Sequence, residues 1–294
     1  MAETSDQTSP EFLTVRELAD LLRIKERKVY DLASTGAVPC SKVTGKLLFP
    51  EREVRAWIAQ GSSATPGRAS PRAAVFVGSH DPLLDWALRQ SRCGIATYFD
   101  GSFDGLDRFA AGDGMATGLH IPGQGDWNVP IVADRFAGQN AVLISFARRQ
   151  RGLIIRPDET AISGIADLAG RRFAPRQAES GSHRIFAGLS GQAGLSEDAY
   201  TNTIPARSEA DAAMAVQTGD ADAAFGLQAL AQLYGLGFVS LIEERFDLLI
   251  DRKAWFEPPM QQLLAFLHDP AFAAHAAGMA GYDIAGIGTV RWNG

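Results

Sequence analysis

The feature that most constrains this chain is the run GSSATPGRASPR at positions 61–72. It contains small residues, Gly, Pro and two arginines, with no apolar periodicity, so it can neither form a regular element with a buried face nor contribute to a core. Such a run reads as a linker, and it splits the 294 residues into a small domain over 11–60 and a large one over 73–294. The 46% hydrophobic content excludes a disordered or fibrous chain. The apolar runs, such as 141–145 and 248–250, fall far below the roughly 18 residues that span a bilayer. Residues 1–10 are polar with no apolar centre, so neither a leader nor a membrane contact is expected, and the expected location is cytoplasmic. Cys40 and Cys93 lie far apart and suggest neither a disulfide framework nor a thiolate metal site.

Charge is distributed unevenly. Residues 1–62 carry nine basic and nine acidic side chains, so the whole net charge of −6 belongs to the remainder. Within the neutral segment, positions 22–50 hold Arg23, Lys25, Arg27, Lys28, Lys42 and Lys46 against only Glu26 and Asp31. A basic stripe in an acidic chain points to a polyanionic partner; the plain alternative is a solvated helix face.

Thr14-Val15-Arg16-Glu17 has the capping-box form, and a helix with Val15, Leu18, Ala19 and Leu22 on one face follows to residue 22. A second helix over 26–34 turns Val29, Leu32 and Ala33 inward and leaves Arg27, Lys28 and Tyr30 outside, with Gly36 at its end. Residues 38–49 read as a two-stranded wing turning at Thr44-Gly45 and carrying Lys42 and Lys46; Pro50 opens a third helix with Val54, Trp57 and Ile58 inward. In this order, residues 12–58 resemble the excisionase-type winged helix-turn-helix related to MerR-like regulators. Lys25 departs from the pattern, standing where that family often has Ser or Thr as the cap of the second helix. The resemblance implies a second helix in the major groove. Arg27, Lys28 and Tyr30 are then candidates for base edges, and Lys42 and Lys46 for phosphates.

The large domain repeats one grammar: an apolar strand, a Gly-Ser turn, a helix. Strand 73–77 runs into Gly78-Ser79-His80-Asp81-Pro82, strand 94–99 into Asp100-Gly101-Ser102, and strand 114–119 into His120-Ile121-Pro122. This is the pattern of a parallel sheet with crossover helices, whose ligands gather beyond the carboxyl ends of the strands. The stretch AVLISFARRQRGLII at 141–155 is apolar with basic residues in its middle and is expected to carry the chain into a second lobe, about 156–245. There a helix over 165–169, a strand over 172–175, the turn Arg176-Gln177-Ala178-Glu179-Ser180-Gly181-Ser182-His183, a helix over 208–218 and a strand over 221–227 are expected, followed by a returning strand over 245–250 and two closing helices.

The segments GSHDPLLDW, GSFDGLDRFAAGD, RRQRGLIIRP, FAPRQAESGSHRIF, GDADAAFGLQALAQLYGLGF and ERFDLLI, taken in order, resemble the type II periplasmic-binding-protein fold, and more closely its regulator-linked relatives akin to molybdate-binding proteins. The expected architecture is therefore α/β, a small winged helix-turn-helix joined to a two-lobed type II periplasmic-binding-protein-like domain. The resemblance implies a ligand site between the lobes, supplied by Ser79, His80, Ser102 and His120 from the first and by Gln177, Ser180, Gly181, Ser182 and His183 from the second. Hydroxyls and free amides at helix starts suit a small anion, although a serine at such a place is equally an ordinary cap. Molybdate, tungstate or a molybdenum-cofactor-related anion is the implied ligand, and another oxyanion or a carboxylate metabolite the next. Those relatives commonly carry Gly-Ser-Gly-Thr-Arg in the second-lobe turn; here Glu179 stands at the first Gly and His183 at the Arg.

No G-x-S-x-G elbow, Walker loop or H-E-x-x-H occurs, and the five histidines are scattered singly. No catalytic residue, catalytic cofactor or metal site is expected. The expected function is a one-component transcriptional regulator, acting as a homodimer or higher homo-oligomer because one small winged domain reads few base pairs. An architectural, excisionase-like DNA-binding protein without a ligand and an enzyme working in the cleft are the alternatives.

Overall fold

A computed structural model describes residues 11–42, 45–61, 71–178 and 180–294. The chain divides into two units, Met1–Ala69 and Ser70–Gly294, so the division falls within the predicted linker, of which residues 62–70 lie outside the described residues.

The small unit contains β1 (Phe12–Leu13), α1 (Val15–Leu22), α2 (Glu26–Ser34), β2 (Phe49–Pro50) and α3 (Glu51–Gly61). The capping box forms as expected: the Glu17 amide donates to the Thr14 hydroxyl at 3.3 Å, and the Thr14 amide donates to the Glu17 carboxylate at 2.8 Å. Helix α2 starts at Lys25 without a side-chain cap, because an ammonium has no acceptor to offer. Leu18, Val29, Phe49 and Val54 are fully buried and make the centre of the core, with Trp57 and Ile58 packed against it. The wing is slighter than the sequence suggests. Ser41 and Leu48 bridge through two backbone hydrogen bonds of 2.7 and 3.0 Å. The next residues, Phe49 and Pro50, pair instead with Leu13 and Phe12, since burying Phe49 over the helices draws the strand toward the start of the unit. Thr44 of the predicted turn lies outside the described residues.

The large unit runs β3 (Val75–Gly78), α4 (Pro82–Gln90), β4 (Ala96–Phe99), α5 (Ser102–Ala111), β5 (Ala116–Leu119), α6 (Val129–Phe136), β6 (Ala141–Ile155), a 3-10 turn (Ile165–Leu168), β7 (Arg172–Ala174), α7 (Gly181–Gln192), β8 (Thr201–Asn202), α8 (Glu209–Gln217), β9 (Ala223–Leu227), α9 (Gln228–Leu233), β10 (Gly237–Asp251), α10 (Arg252–Trp255), α11 (Pro258–Phe266), α12 (Pro270–Ala277), β11 (Tyr282–Asp283) and β12 (Val290–Asn293). The strands form one curled sheet in the order β4-β3-β5-β10-β6-β9-β7-β8, with β11 and β12 also on β6. Strands β6 and β10 pair antiparallel along their lengths. At one end β10 pairs with β5 through residues 247–250, and at the other β6 pairs with β9 through residues 151–155. These two long strands therefore belong to both lobes. Phe76, Leu84, Phe146 and Phe246 pack the first lobe; Leu153, Phe173, Ile185 and Phe225 pack the second.

Two corrections to the sequence reading concern the crossing. The returning strand starts at Gly237 rather than at 245, because its first half is only half-buried and mixes polar with apolar residues. The C-terminal strands β11 and β12, which fold back on β6, are too short to leave a period in the sequence.

Candidate functional site

The three strand-end loops of the first lobe are knitted together. Gly78 takes a φ of +98°, and a Cβ there would lie 2.6 Å from the Gly118 carbonyl oxygen, so only glycine permits the turn that delivers Ser79. The Ser79 amide donates to the Gly118 carbonyl at 2.9 Å. The Ser79 and Ser102 hydroxyls are 2.7 Å apart, and Ser102 Oγ accepts from the His120 amide at 3.1 Å. In the second lobe, Ser180 caps α7 by accepting from the His183 amide at 3.1 Å. The same turn buries Gly181 and Ser182. A Cβ on Gly181 would come within 2.8 Å of His120 Cε1, so the tips of the two lobes meet there.

Five of the nine predicted ligand residues thus converge: Ser79, Ser102, His120, Gly181 and Ser182. The other four do not. His80 is 54% exposed, its Nε2 3.9 Å from the Asp85 carboxylate. Gln177 is exposed, Ser180 is spent on its cap, and the half-buried His183 ring makes no hydrogen bond among the described residues. Glu179 lies outside the described residues.

The space between the facing tips is filled by charged side chains of the chain itself, where neutral donors were expected. Arg149 and Arg151 alternate along β6, so both face the junction, and both are fully buried. Arg149 donates to Asp81 Oδ2 at 2.7 Å and to Glu244 Oε1. Arg151 donates to Glu244 Oε1 at 3.1 Å, to Ser182 Oγ at 2.8 Å and to Glu209. Glu244, on β10, also meets His120 Nδ1 at 3.1 Å, and the Tyr282 hydroxyl donates to Asp81 Oδ2 at 2.6 Å. The partners of the two arginines therefore come from the first lobe (Asp81), the crossing strands (Glu244) and the second lobe (Ser182, Glu209). Burial by itself would raise the Glu244 carboxyl, but Arg149, Arg151 and His120 outweigh it and hold the group well below the usual carboxylate range. The Glu209 carboxyl is likewise raised by burial and lowered more strongly by Arg151 and the Ser182 hydroxyl, to about 2.

Sequence reasoning missed Asp81, Arg149, Arg151, Glu209, Glu244 and Tyr282 as site residues. For the arginines a signal was present: two charges two positions apart inside an apolar strand occupy one face and need buried partners.

On the small unit, Arg27, Lys28 and Tyr30 of α2 and Lys42 and Lys46 of the wing are all exposed. They leave a basic surface on the second helix and beside it, without competing acidic partners among the described hydrogen bonds.

Comparison with known proteins agrees with this two-part construction. A model described as a helix-turn-helix domain matches residues 12–62, and one described as a PBP superfamily domain matches residues 86–268. The uncharacterized protein YvgK of Bacillus subtilis (strain 168) is 24% identical over 298 residues, covering 92% of this chain and 94% of its own length. Among solved structures, a histidine kinase sensor domain with similarity to periplasmic binding proteins aligns at 16% identity over 73% of this chain and 99% of its own, with a TM-score of 0.47. A hydrogen-peroxide-bound OxyR mutant of Corynebacterium glutamicum aligns at 11% identity over 90% of this chain and 91% of its own, with a TM-score of 0.49. No described helix is long and apolar enough to cross a membrane. The chain belongs to the PBP superfamily domain family and carries a helix-turn-helix domain ahead of that domain, the pairing of a DNA-binding, ligand-binding regulator.

Proposed function

We propose that this protein is a transcriptional regulator that binds double-stranded DNA through α2 and the wing and responds to a small anion taken up where the two lobes meet. One observation carries the reading: Arg149 and Arg151 are buried at the middle of the crossing strand β6, with partners drawn from both lobes. A buried ion-pair cluster adds little net stability over well-packed apolar residues, so its use is sought in recognition. A group that competes for those arginines changes the bonds that hold the lobes together. Ligand then shifts a two-state equilibrium by its difference in affinity for the two arrangements. Homodimers or higher homo-oligomers on repeated half-sites give the DNA affinity one small head lacks. Molybdate, tungstate and a molybdenum-cofactor-related anion are the oxyanion candidates, and a carboxylate metabolite is the other.

The test uses the full chain in a thermal-shift series with molybdate, tungstate, phosphate and small carboxylates, repeated as a DNA-binding titration with and without each. A ligand specific for the native state adds about 2.7 kcal/mol of stability at a hundred times its Kd. No shift with any of them, together with DNA affinity unaltered by all, refutes the ligand-responsive reading. The DNA part has its own check. Each phosphate contact removed, by Lys42→Ala or Lys46→Ala, lowers the slope of log affinity against log salt by about 0.9; an unchanged slope removes these lysines from the interface.

A further inference from the structure

Glu209 sits on Arg151 and Ser182 as a bound anion would. Its Oε1 accepts from Arg151 Nη2 and, at 2.7 Å, from the Ser182 hydroxyl. Ser182 is the second residue of α7, where backbone amides are still without helical acceptors. Glu209 nevertheless differs from the other acids of the cluster. Asp81 and Glu244 are sealed at 0% exposure, whereas the Glu209 side chain is 17% exposed. It belongs to the start of α8 rather than to a crossing strand. It is therefore the acid with a way out to water.

We propose that Glu209 is an internal occupant of an anion seat made by Arg151 and Ser182, and that the regulator's ligand is a carboxylate that displaces it. This rests on the interlobe ligand reading and narrows its ligand from small anions in general to planar carboxylates. A guanidinium fork matches a carboxylate in shape, and exchanging one carboxylate for another leaves the charge of the buried cluster unchanged. A tetrahedral dianion adds a negative charge beside Asp81 and Glu244, which the low-dielectric site penalises.

The experiment is chemical rescue in the full chain. Glu209→Ala empties the seat, and acetate titrated at constant ionic strength is the probe. Acetate is expected to raise the melting temperature of Glu209→Ala and not that of the wild type. Removing the tethered competitor should tighten its binding about ten- to a hundred-fold, the value of one charge-assisted hydrogen-bonded contact. A folded Glu209→Ala chain that responds to acetate no more than the wild type overturns the proposal. Should that variant not fold even with acetate, Glu209→Gln keeps the volume and removes the charge. It should bind acetate more tightly than the wild type, and equal affinity again overturns the proposal. If acetate rescues the variant while the wild type responds to no ligand, the seat stands and the regulator reading falls. If a ligand binds the wild type and Glu209→Ala equally, the regulator reading stands and this inference falls.

Discussion

Glu244→Gln is the most demanding perturbation of the charged junction, since it removes one charge and almost no volume. Glu244 is fully buried and accepts from both Arg149 and Arg151, with His120 on its second oxygen. The amide keeps one acceptor oxygen, so the bonds from Arg149 and Arg151 end on a neutral group in place of a charged one. Two hydrogen bonds to charged groups at about 1.5–3 kcal/mol each suggest a loss of about 3–6 kcal/mol, and breaking a buried ion pair on one side costs about 3–5 kcal/mol. The working value is about 4 kcal/mol, or a fall in Tm of about 8–16 °C for a domain of this size. Urea unfolding followed by tryptophan fluorescence reads the large unit well, because Trp86 stacks on His275 at 3.8 Å within the first lobe. A double-mutant cycle with Arg149→Met should give a combined loss smaller than the sum of the single losses, with a coupling of about 0.5–3 kcal/mol. A cost for Glu244→Gln below about 1 kcal/mol, with no coupling, refutes the argument that these charges hold one another in the closed junction.

Three further expectations concern Asp247, Glu209 and Gly181. Asp247 is fully buried, and burial raises its carboxyl to about 6 despite the Asn128 hydrogen bond and the nearby Arg291 and Arg245. The folded state then holds a proton that the unfolded state has released, so stability declines as pH rises from about 4 to about 6, by about 3 kcal/mol. Asp247→Asn should abolish that decline and be more stable than the wild type at pH 7.5 in urea unfolding; equal pH profiles would count against it. Glu209 works in the opposite sense: with its folded value near 2, its contribution is complete above about pH 4.5 and is lost as pH falls toward 2. Glu209→Gln should flatten that acid limb in a melting-temperature profile. Gly181→Ala places a methyl 2.8 Å from His120 Cε1, on a ring anchored by Glu244. Overpacking of this kind costs about 1–3 kcal/mol, and an unaltered melting temperature means the lobe tips do not touch.

Much of the frame was legible locally. The capping box at Thr14 and Glu17 and the glycine–serine turns after β3 and β4 each depend on a few adjacent residues whose conformational preferences act at short range. Arg27, Lys28 and Tyr30 were placed on the outer face of α2 by helical spacing alone, and they are exposed there. Spacing also put Val29 and Ala33 inward, where they are buried. The wing was over-read, because Phe49 follows the demand for burial and pairs with β1, a partner 36 residues earlier in the chain.

The sequence by itself determined that there are two units, that the first is a basic helical head, and that the second alternates strands and helices with small polar turns at the strand ends. Only the tertiary structure decided what fills the junction between the lobes. Arg149 meets Glu244 from 95 residues away, and Arg151 meets Glu209 from 58 residues away, distances over which no periodicity in the chain carries information. Strand order brings β10 beside β6, and the fold of the second lobe brings α8 over Arg151. Once buried, an arginine must find a carboxylate, but the sequence offers many carboxylates and only the packed chain selects one.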